Sequence, residues 1–393
     1  MATTMYFIGT DHHRDEPDQL LPWFFQNLDP GMQDQKKFIF DGPGSKPMTR
    51  SFSDLFTFKN RDKPVKMGKL GSGTTLGQGW ESNVTAAIAA LRQHANHGSN
   101  ERINLIGHSR GAVTCHMVAH RIKKEFRDFR VRIFAIDPVP GGERDFASDI
   151  GDFKTIPSNV LEYCQILMEN HSEVFFGVLG PKRLKFESPG NTNYRTLAMP
   201  GKHGSCVKTM FQEYPESQIS CALLSDWLVD GGVTCNYRLR SMQIAEVYAI
   251  IWRKRRDIKF TTPSTSSKAK LGGLFVFGLP AGVLLGLVTG SPTFGGAIMT
   301  APIMTLTSSF WKNDRSSDVP NSQRGQPFYI NRHHETALLL QPEWVEFLNA
   351  AQSNSQQRLN SAVRDLAKAL PNTYDALREM SAGAGTTNAP KFW

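Results

Sequence analysis

The segment Gly107-His108-Ser109-Arg110-Gly111 carries the clearest chemical signal in the chain. It has the form G-x-S-x-G, in which two small residues flank a serine at a sharp turn between a strand and a helix. Such a turn lifts the serine hydroxyl above the edge of a sheet, where a base can remove its proton. We therefore interpret Ser109 as a nucleophile, and the chemistry that it predicts is acyl transfer through a covalent intermediate.

A serine hydroxyl is a weak nucleophile until a histidine accepts its proton. Enzymes with this turn place the serine first, then the acid, then the histidine. Six histidines follow the serine: His116, His120, His171, His203, His333 and His334. His116 and His120 belong to the helix after Ser109 and point along it, and their i, i+4 spacing also suits two metal ligands. His203 lies in a glycine-flanked loop, which suits a loop-borne base, and we predict that it is the base.

The acid must orient the imidazole of the base and stabilise its protonated form. Asp137 ends the strand that follows the nucleophile helix, at the same edge of the predicted sheet. Glu169 lies just past the next strand, which is the more usual position for the acid, and Glu173 is a third candidate. We favour Asp137, with the two glutamates left open.

The oxyanion hole is expected to combine two backbone N–H groups on either side of the nucleophile. One belongs to Arg110, and the other comes from the loop after the first strand, where Thr10 is our nominee. The dipole of the helix after Ser109 helps to stabilise the developing negative charge. This chemistry requires neither a metal nor an organic cofactor.

Short apolar runs alternate with helical patterns through the first two hundred residues. Strands are predicted at 5–9, 37–40, 103–106, 131–136 and, more weakly, 161–167, and the main helices at 81–95 and 111–126. This alternation predicts an α/β fold, a mostly parallel sheet covered by helices on both faces. A parallel sheet binds its ligand at the carboxyl ends of its strands. With the serine turn, the pattern indicates the α/β-hydrolase fold.

The second half of the chain has a different pattern. Helices are predicted at 216–230 and 240–255, and two more over 335–380 with a break near Pro371. We divide the chain into a catalytic domain at 1–260, an uncharged hydrophobic hairpin or lid with polar linkers at 261–330, and a helical C-terminal segment with a frayed tail at 331–393.

The uncharged run over 271–306 permits three interpretations. Its first part, 271–288, is about long enough to cross a bilayer. A membrane hairpin would place the basic cluster at 253–256 against anionic lipid. A buried hairpin and a hydrophobic lid over the active site remain open as alternatives.

Composition and charge bound the remaining possibilities. A formal net charge of +9 favours anionic partners, and 40% hydrophobic residues allow a sizeable core. The five scattered cysteines form no C-x-x-C pair, which predicts reduced thiols rather than a disulfide framework or a zinc site.

The N-terminus lacks the features of a signal peptide, which predicts synthesis in the cytoplasm. The basic cluster lacks interleaved aromatic residues, so no nucleic-acid partner is expected.

Several segments in the same order resemble the lipase effectors of bacterial type VI secretion. The matching segments are Phe7-Ile8-Gly9-Thr10-Asp11 at the opening strand and loop, Asp41-Gly42-Pro43-Gly44-Ser45 at a second glycine turn, Gly107 to Ala112 as G-x-S-R-G-A, Asp137-Pro138-Val139, and Pro200-Gly201-Lys202-His203 as P-G-x-H. The resemblance covers roughly 5–235. In that family the histidine of P-G-x-H is catalytic, and the next residues are Ser-Asp-Val-Gly-Gly, where this chain has Gly204-Ser205-Cys206-Val207.

The resemblance implies hydrolysis of phospholipid acyl esters in the membrane of a rival cell. It also implies a cognate immunity protein, a partner in the secretion spike, and delivery into a target cell with association to its membrane. The function expected is therefore that of a phospholipase A-type antibacterial effector with a Ser-His-Asp triad. A soluble esterase and a membrane-inserting toxin or binding module on an inactive hydrolase scaffold are the alternatives.

Overall fold

The computed structural model describes 2–10, 12–27, 35–43, 80–94, 102–126, 128–140, 153–168, 179–180, 183–235, 237–257, 332–353 and 355–383. Within these ranges no helix has both the length and the apolar character needed to cross a bilayer. His171, Glu169, Glu173 and the whole of 261–330, including the uncharged run, lie outside the described residues.

Six strands form one parallel sheet in the order β2-β1-β3-β4-β6-β8. They are β1 (Ala2–Phe7), β2 (Gln35–Phe40), β3 (Arg102–His108), β4 (Arg130–Ile136), β6 (Val160–Met168) and β8 (Asn193–Met199). Two short strands, β5 (Thr155–Ile156) and β7 (Lys185–Phe186), pair separately. The register places Phe7 beside Gly107 and His108 beside Ile136. The carboxyl ends of β1, β3 and β4 are therefore level.

Helices cover both faces of this sheet. The first five are α1 (Leu20–Asn27), α2 (Trp80–His94), α3 (Arg110–Glu125), α4 (Pro215–Asp230) and α5 (Ser241–Asp257). Met5 and Phe7 of β1 pack in one core with α2 and α3, while Tyr6 and Ile8 pack in another with α1, α4 and α5. Successive side chains of a strand point to opposite faces of the sheet. The sequence of a strand that is buried on both faces is therefore a continuous run of apolar residues. The predicted α/β class, a parallel sheet flanked by helices, is confirmed.

The strand β8 is absent from the sequence prediction because its pattern is weak. It begins Asn193-Tyr194-Arg195-Thr196 and pairs only with β6, at the edge of the sheet. Its first five residues are exposed or half-buried, and only Ala198 and Met199 are buried. The omission matters because β8 ends immediately before the loop that carries His203.

The prediction of two helices over 335–380 is wrong in the number of helices, although the predicted break near Pro371 is confirmed. The chain forms four: α6 (Arg332–Leu339), α7 (Pro342–Gln352), α8 (Gln356–Ala369) and α9 (Pro371–Gly383). Pro342 lies in the first turn of α7, where the N–H that proline lacks would have no partner within the helix. The Ser355 side chain caps the start of α8 by accepting a hydrogen bond from the backbone N–H of Arg358. These helices share the core of α4 and α5. The three-part division of the chain stays a prediction.

Part of the basic cluster at 253–256 is engaged inside the protein. Arg253 lies 3.1 Å from the carboxylate of Glu379 and 3.5 Å from that of Asp375, both on α9. The ammonium of Lys254 donates to the backbone carbonyl of Glu213 at 2.7 Å. These two cations therefore fasten α9 and the segment before α4 to α5.

A pair of histidines packs α6 against Tyr248 of α5. The tyrosine hydroxyl lies 2.9 Å from Nδ1 of His333, and its ring stacks on His334 with centroids 4.9 Å apart. Burial lowers the pKa of His333 to about 4. Burial, together with the charge of His333, lowers the pKa of His334 to about 3.

We expect this packing to weaken in acid. The ordinary histidine pKa is 6.5, so below that pH the unfolded chain binds protons that the folded chain excludes. The stability contributed by the neutral rings is complete above pH 6.5 and is lost as the pH falls toward the folded values. Between pH 7 and 5, the free energy of unfolding of the wild type should fall by about 2 kcal/mol more than that of His334→Phe. Urea denaturation at both pH values measures this, and an equal fall in both proteins would contradict it.

Candidate active site

Ser109 is the single residue between the end of β3 and the start of α3. Its φ of 56° lies in the left-handed region, which is rare for residues other than glycine. Its N–H donates to the carbonyl of Ile136 at 2.9 Å, and its carbonyl accepts from the N–H of Val139 at 3.3 Å. Both bonds fix this turn to the last residue of β4 and to the segment just after it.

Two glycines allow α3 to begin this close to the sheet. A Cβ on Gly107 would lie 2.4 Å from the backbone carbon of Gly111, and one on Gly111 would lie 2.1 Å from the carbonyl oxygen of Phe7. Either contact is far shorter than a nonbonded contact allows. The G-x-S-x-G spacing thus has a steric cause in this structure.

The structure brings Ser109, His203 and Asp137 together, although they are distant in sequence. Nε2 of His203 lies 2.9 Å from Oγ of Ser109, and its Nδ1 lies 2.7 Å from Oδ2 of Asp137. An ionised carboxylate only accepts hydrogen bonds, so Nδ1 carries the proton and Nε2 is free to accept the serine proton. This geometry can transfer a proton from the hydroxyl to the imidazole.

Asp137 is fully buried and is bonded to the end of β6. Its N–H donates to the carbonyl of Ile166 at 2.7 Å, and its Oδ1 accepts from the N–H of Met168 at 3.0 Å. Its φ of 42° is also left-handed. Each carboxylate oxygen therefore has a hydrogen-bond partner, the N–H of Met168 at the end of β6 for Oδ1 and Nδ1 of His203 for Oδ2.

Thr10 and Arg110, the two residues nominated for the oxyanion hole, are in contact through their side chains. Nη1 of Arg110 donates to Oγ1 of Thr10 at 3.1 Å. Arg110 is buried and Thr10 is half-buried. The bond ties the loop after β1 to the first residue of α3, which directly follows Ser109.

A buried ion pair holds the rest of the loop after β1. Arg14 donates from its backbone N–H and from Nε to Oδ1 of Asp41, and from Nη2 to Oδ2, at 2.8, 3.1 and 2.7 Å. The carbonyl of Asp41 accepts from the side chain of Asn83 on α2 at 2.8 Å, and the N–H of Gly42 donates to the carbonyl of His12 at 2.9 Å. The sequence shows Asp41 only as part of a turn, so this function is invisible without the fold.

The loop of His203 is closed by residues that differ from the resembled family. Oγ of Ser205 accepts from the N–H of Lys202 at 3.0 Å and donates to its carbonyl at 2.8 Å. Sγ of Cys206 lies 3.2 Å from the carbonyl of His203. Glu216 is buried beside Ser205, and burial raises the pKa of its carboxyl. The segment after His203 therefore supplies the contacts that hold this loop.

His116 and His120, two of the other histidine candidates, lie away from Ser109. His116 is buried, with its ring nitrogens 2.8 Å from the carbonyl of Phe153 and 2.9 Å from the hydroxyl of Tyr163, and burial lowers its pKa to about 4. His120 lies 2.7 Å from the carbonyl of Thr155. Both rings thus bond to protein groups around β5 and β6 rather than to Ser109.

All five cysteines fall within the described residues. They are buried, and no disulfide joins them. Burial raises the pKa of the Cys115 thiol well above its ordinary value. A thiol in that state is a poor nucleophile and a poor metal ligand.

Comparisons with known proteins give only distant similarities. No protein-family model matches the chain, and no curated protein matches it. Among solved structures, the chain is similar to the Tle1 effector bound to the VgrG spike of the type 6 secretion system, with 14% identity and a TM-score of 0.34 over 53% of this chain and 51% of that one. The chain thus spans about half the length of the Tle1 chain.

Two further similarities are of the same kind. An uncharacterized protein from Pseudomonas aeruginosa has 11% identity and a TM-score of 0.39 over 99% of this chain and 68% of that one. Est1E from Butyrivibrio proteoclasticus, solved with ferulic acid bound, has 9% identity and a TM-score of 0.32 over 58% and 89%. Similarities this distant assign no function to the chain.

The Arg14–Asp41 pair gives a test of how the loop after β1 is held. Asp41→Ala leaves a buried guanidinium without its carboxylate, so we expect the free energy of unfolding to fall by about 3–5 kcal/mol. Glu346→Ala, which removes the partner of Arg358 in an exposed pair, is the matched control and should change it little. Denaturant unfolding of the two variants measures the difference. Equal effects would contradict the importance of the buried pair.

Proposed function

We propose that this chain is a serine hydrolase of carboxylic esters, acting on membrane lipids as a phospholipase A-type antibacterial effector. The observation that carries the proposal is the continuous path from Asp137 through His203 to Ser109, with distances of 2.7 and 2.9 Å. Three side chains with matched donors and acceptors at the carboxyl edge of a parallel sheet suit acyl transfer.

The reaction proceeds in two steps through an acyl-enzyme. Nε2 of His203 accepts the proton of Ser109 as Oγ attacks the carbonyl carbon of the ester. The tetrahedral intermediate collapses, and the departing alkoxide takes the proton back from His203 to leave as an alcohol. Water then attacks the acyl-enzyme by the same route and releases the fatty acid and free Ser109. These steps need no metal or organic cofactor.

Negative charge on the intermediate is stabilised beside the nucleophile. We assign this function to the backbone N–H groups of Arg110 and Thr10, and the bond between their side chains joins the two segments that carry these groups. Arg110 also begins α3, and the positive end of the helix dipole lies there. Donors held in place before the reaction stabilise the transition state without reorganising.

The lipid substrate and the effector role rest on the sequence resemblance. The G-x-S-R-G-A and P-G-x-H segments support the type VI lipase family, with a phospholipid substrate, a cognate immunity protein and a secretion-spike partner. The net charge of +9 is consistent with an anionic membrane surface.

A soluble ester is the second candidate substrate, and one observation favours it. Arg253 and Lys254, half of the basic cluster expected to face lipid, are bonded to Glu379, Asp375 and the carbonyl of Glu213. These cations are thus less available to lipid head groups than the sequence suggested.

Removal of each proposed triad member should abolish or strongly reduce hydrolysis. We expect Ser109→Ala and His203→Gln to lower kcat for a short soluble ester by about 10⁴-fold or more, and Asp137→Asn by about 10³–10⁴-fold. The matched controls are Ser188→Ala and His120→Gln. Ser188 precedes the amino end of β8, and His120 lies on α3. Both should retain wild-type rates, and a Ser109→Ala protein with wild-type activity would overturn the proposal.

The substrate class is decided by comparing vesicles with the soluble ester. We expect the wild type to release fatty acid from mixed phospholipid vesicles faster than it cleaves the short ester, with both activities lost in Ser109→Ala. Cleavage of the short ester alone would favour the soluble-esterase candidate. Toxicity in a target cell that survives Ser109→Ala would favour a membrane-acting toxin without hydrolysis.

A further inference from the structure

His108, the residue before the nucleophile, lies directly against the proposed base. Its ring stacks on that of His203, with centroids 4.7 Å apart and planes inclined by 29°. Its Nε2 lies 3.3 Å from the backbone carbonyl of His203. The G-x-S-x-G pattern leaves this position open, so the motif does not suggest a function for it.

The carbonyl partner fixes the proton of His108. A carbonyl oxygen only accepts hydrogen bonds, so Nε2 of His108 is the donor, and Nδ1 of the neutral ring carries the lone pair. That Nδ1 faces the loop after β1, where a Cβ on Gly9 would approach it to 2.6 Å. The ring therefore lies between the loops that carry Thr10 and His203, and glycine at position 9 leaves room for it.

The neutral state of His108 suits a neighbour that becomes charged. His108 is buried, and burial, with the charge of His203 acting in the same direction, holds its pKa well below the ordinary value. When His203 accepts the serine proton, a cation forms against the face of a neutral aromatic ring. Such a face attracts a cation within about 6 Å.

We propose that His108 is a positioning residue for the base, holding the ring and the carbonyl of His203 and favouring its protonated form. The inference rests on the proposed function, because it concerns the imidazolium formed during ester cleavage. Stabilisation that exists mainly when His203 is charged lowers the barrier more than it strengthens substrate binding. The effect should therefore appear in kcat, with KM unchanged.

Three substitutions separate the ring face from the hydrogen bond. His108→Phe keeps an aromatic face and loses the donor, so we expect kcat for a short soluble ester to fall about 3-fold. His108→Leu loses the aromatic face and the donor, so we expect kcat to fall about 20-fold. His108→Gln keeps only a donor, so we expect kcat to fall about 10-fold. The rate of labelling of Ser109 by a fluorophosphonate, a probe of the nucleophile that needs no turnover, should follow the same order.

Thermal unfolding of each variant shows whether it is folded. If His108→Leu fails to fold, His108→Gln tests the contribution of the aromatic face to kcat. Equal kcat values in the folded variants and the wild type, or a loss that appears in KM alone, would overturn the inference. A wild type that neither cleaves esters nor reacts with the fluorophosphonate would instead overturn the proposed function. The two failures are therefore distinguishable.

Discussion

The site depends on a change from strand to helix that occupies a single residue. Ser109 makes this change with a left-handed φ of 56°, and backbone strain of this kind persists only where the surroundings hold it. Here the bonds of Ser109 to Ile136 and Val139, at the end of β4, hold it from both sides. The absence of a side chain at positions 107 and 111 removes the collisions that would push α3 away. These contacts fix the residue whose hydroxyl lies 2.9 Å from Nε2 of His203.

The order of the strands decides which partners reach that hydroxyl. β4 is the neighbour of β3, and β8 lies at the far edge beyond β6. A histidine carried by the loop after β8 must therefore reach across the carboxyl ends of β6 and β4 to meet Ser109. Asp137, at the end of β4, lies on that path, and the N–H of Met168 at the end of β6 donates to its carboxylate.

Buried polar groups hold the two loops that lie beside Ser109. Arg14 and Asp41 fix the loop after β1, while Ser205 bonds to Lys202 in the loop of His203 and lies beside the buried Glu216. A buried ion pair adds little net stability, because desolvation offsets the attraction between the charges. Breaking one is costly, however, so such a pair strongly favours one arrangement of the loop. That property suits loops whose groups must be held within a fraction of an ångström.

The local pattern of the sequence was sufficient for the class of fold and for the strand–turn–helix around Ser109. Both are encoded over short stretches, in the apolar runs of buried strands and in the small residues of a tight turn. The edge strand β8 was missed because it is mostly polar. Of the breaks between the last helices, the one at Pro371 was predicted, and the other two were missed because they depend on caps and packing.

Only the tertiary structure could choose among the chemical partners. Nothing local distinguishes an aspartate that ends a strand from one that forms a turn, and only folding brings the carboxylate of Asp137 to 2.7 Å from His203. The same holds for Asp41, which the sequence shows as a turn residue and the fold pairs with Arg14, and for His108, whose contact with His203 joins positions 95 residues apart. Contacts between distant segments are set by strand order and packing, which no short stretch of sequence contains.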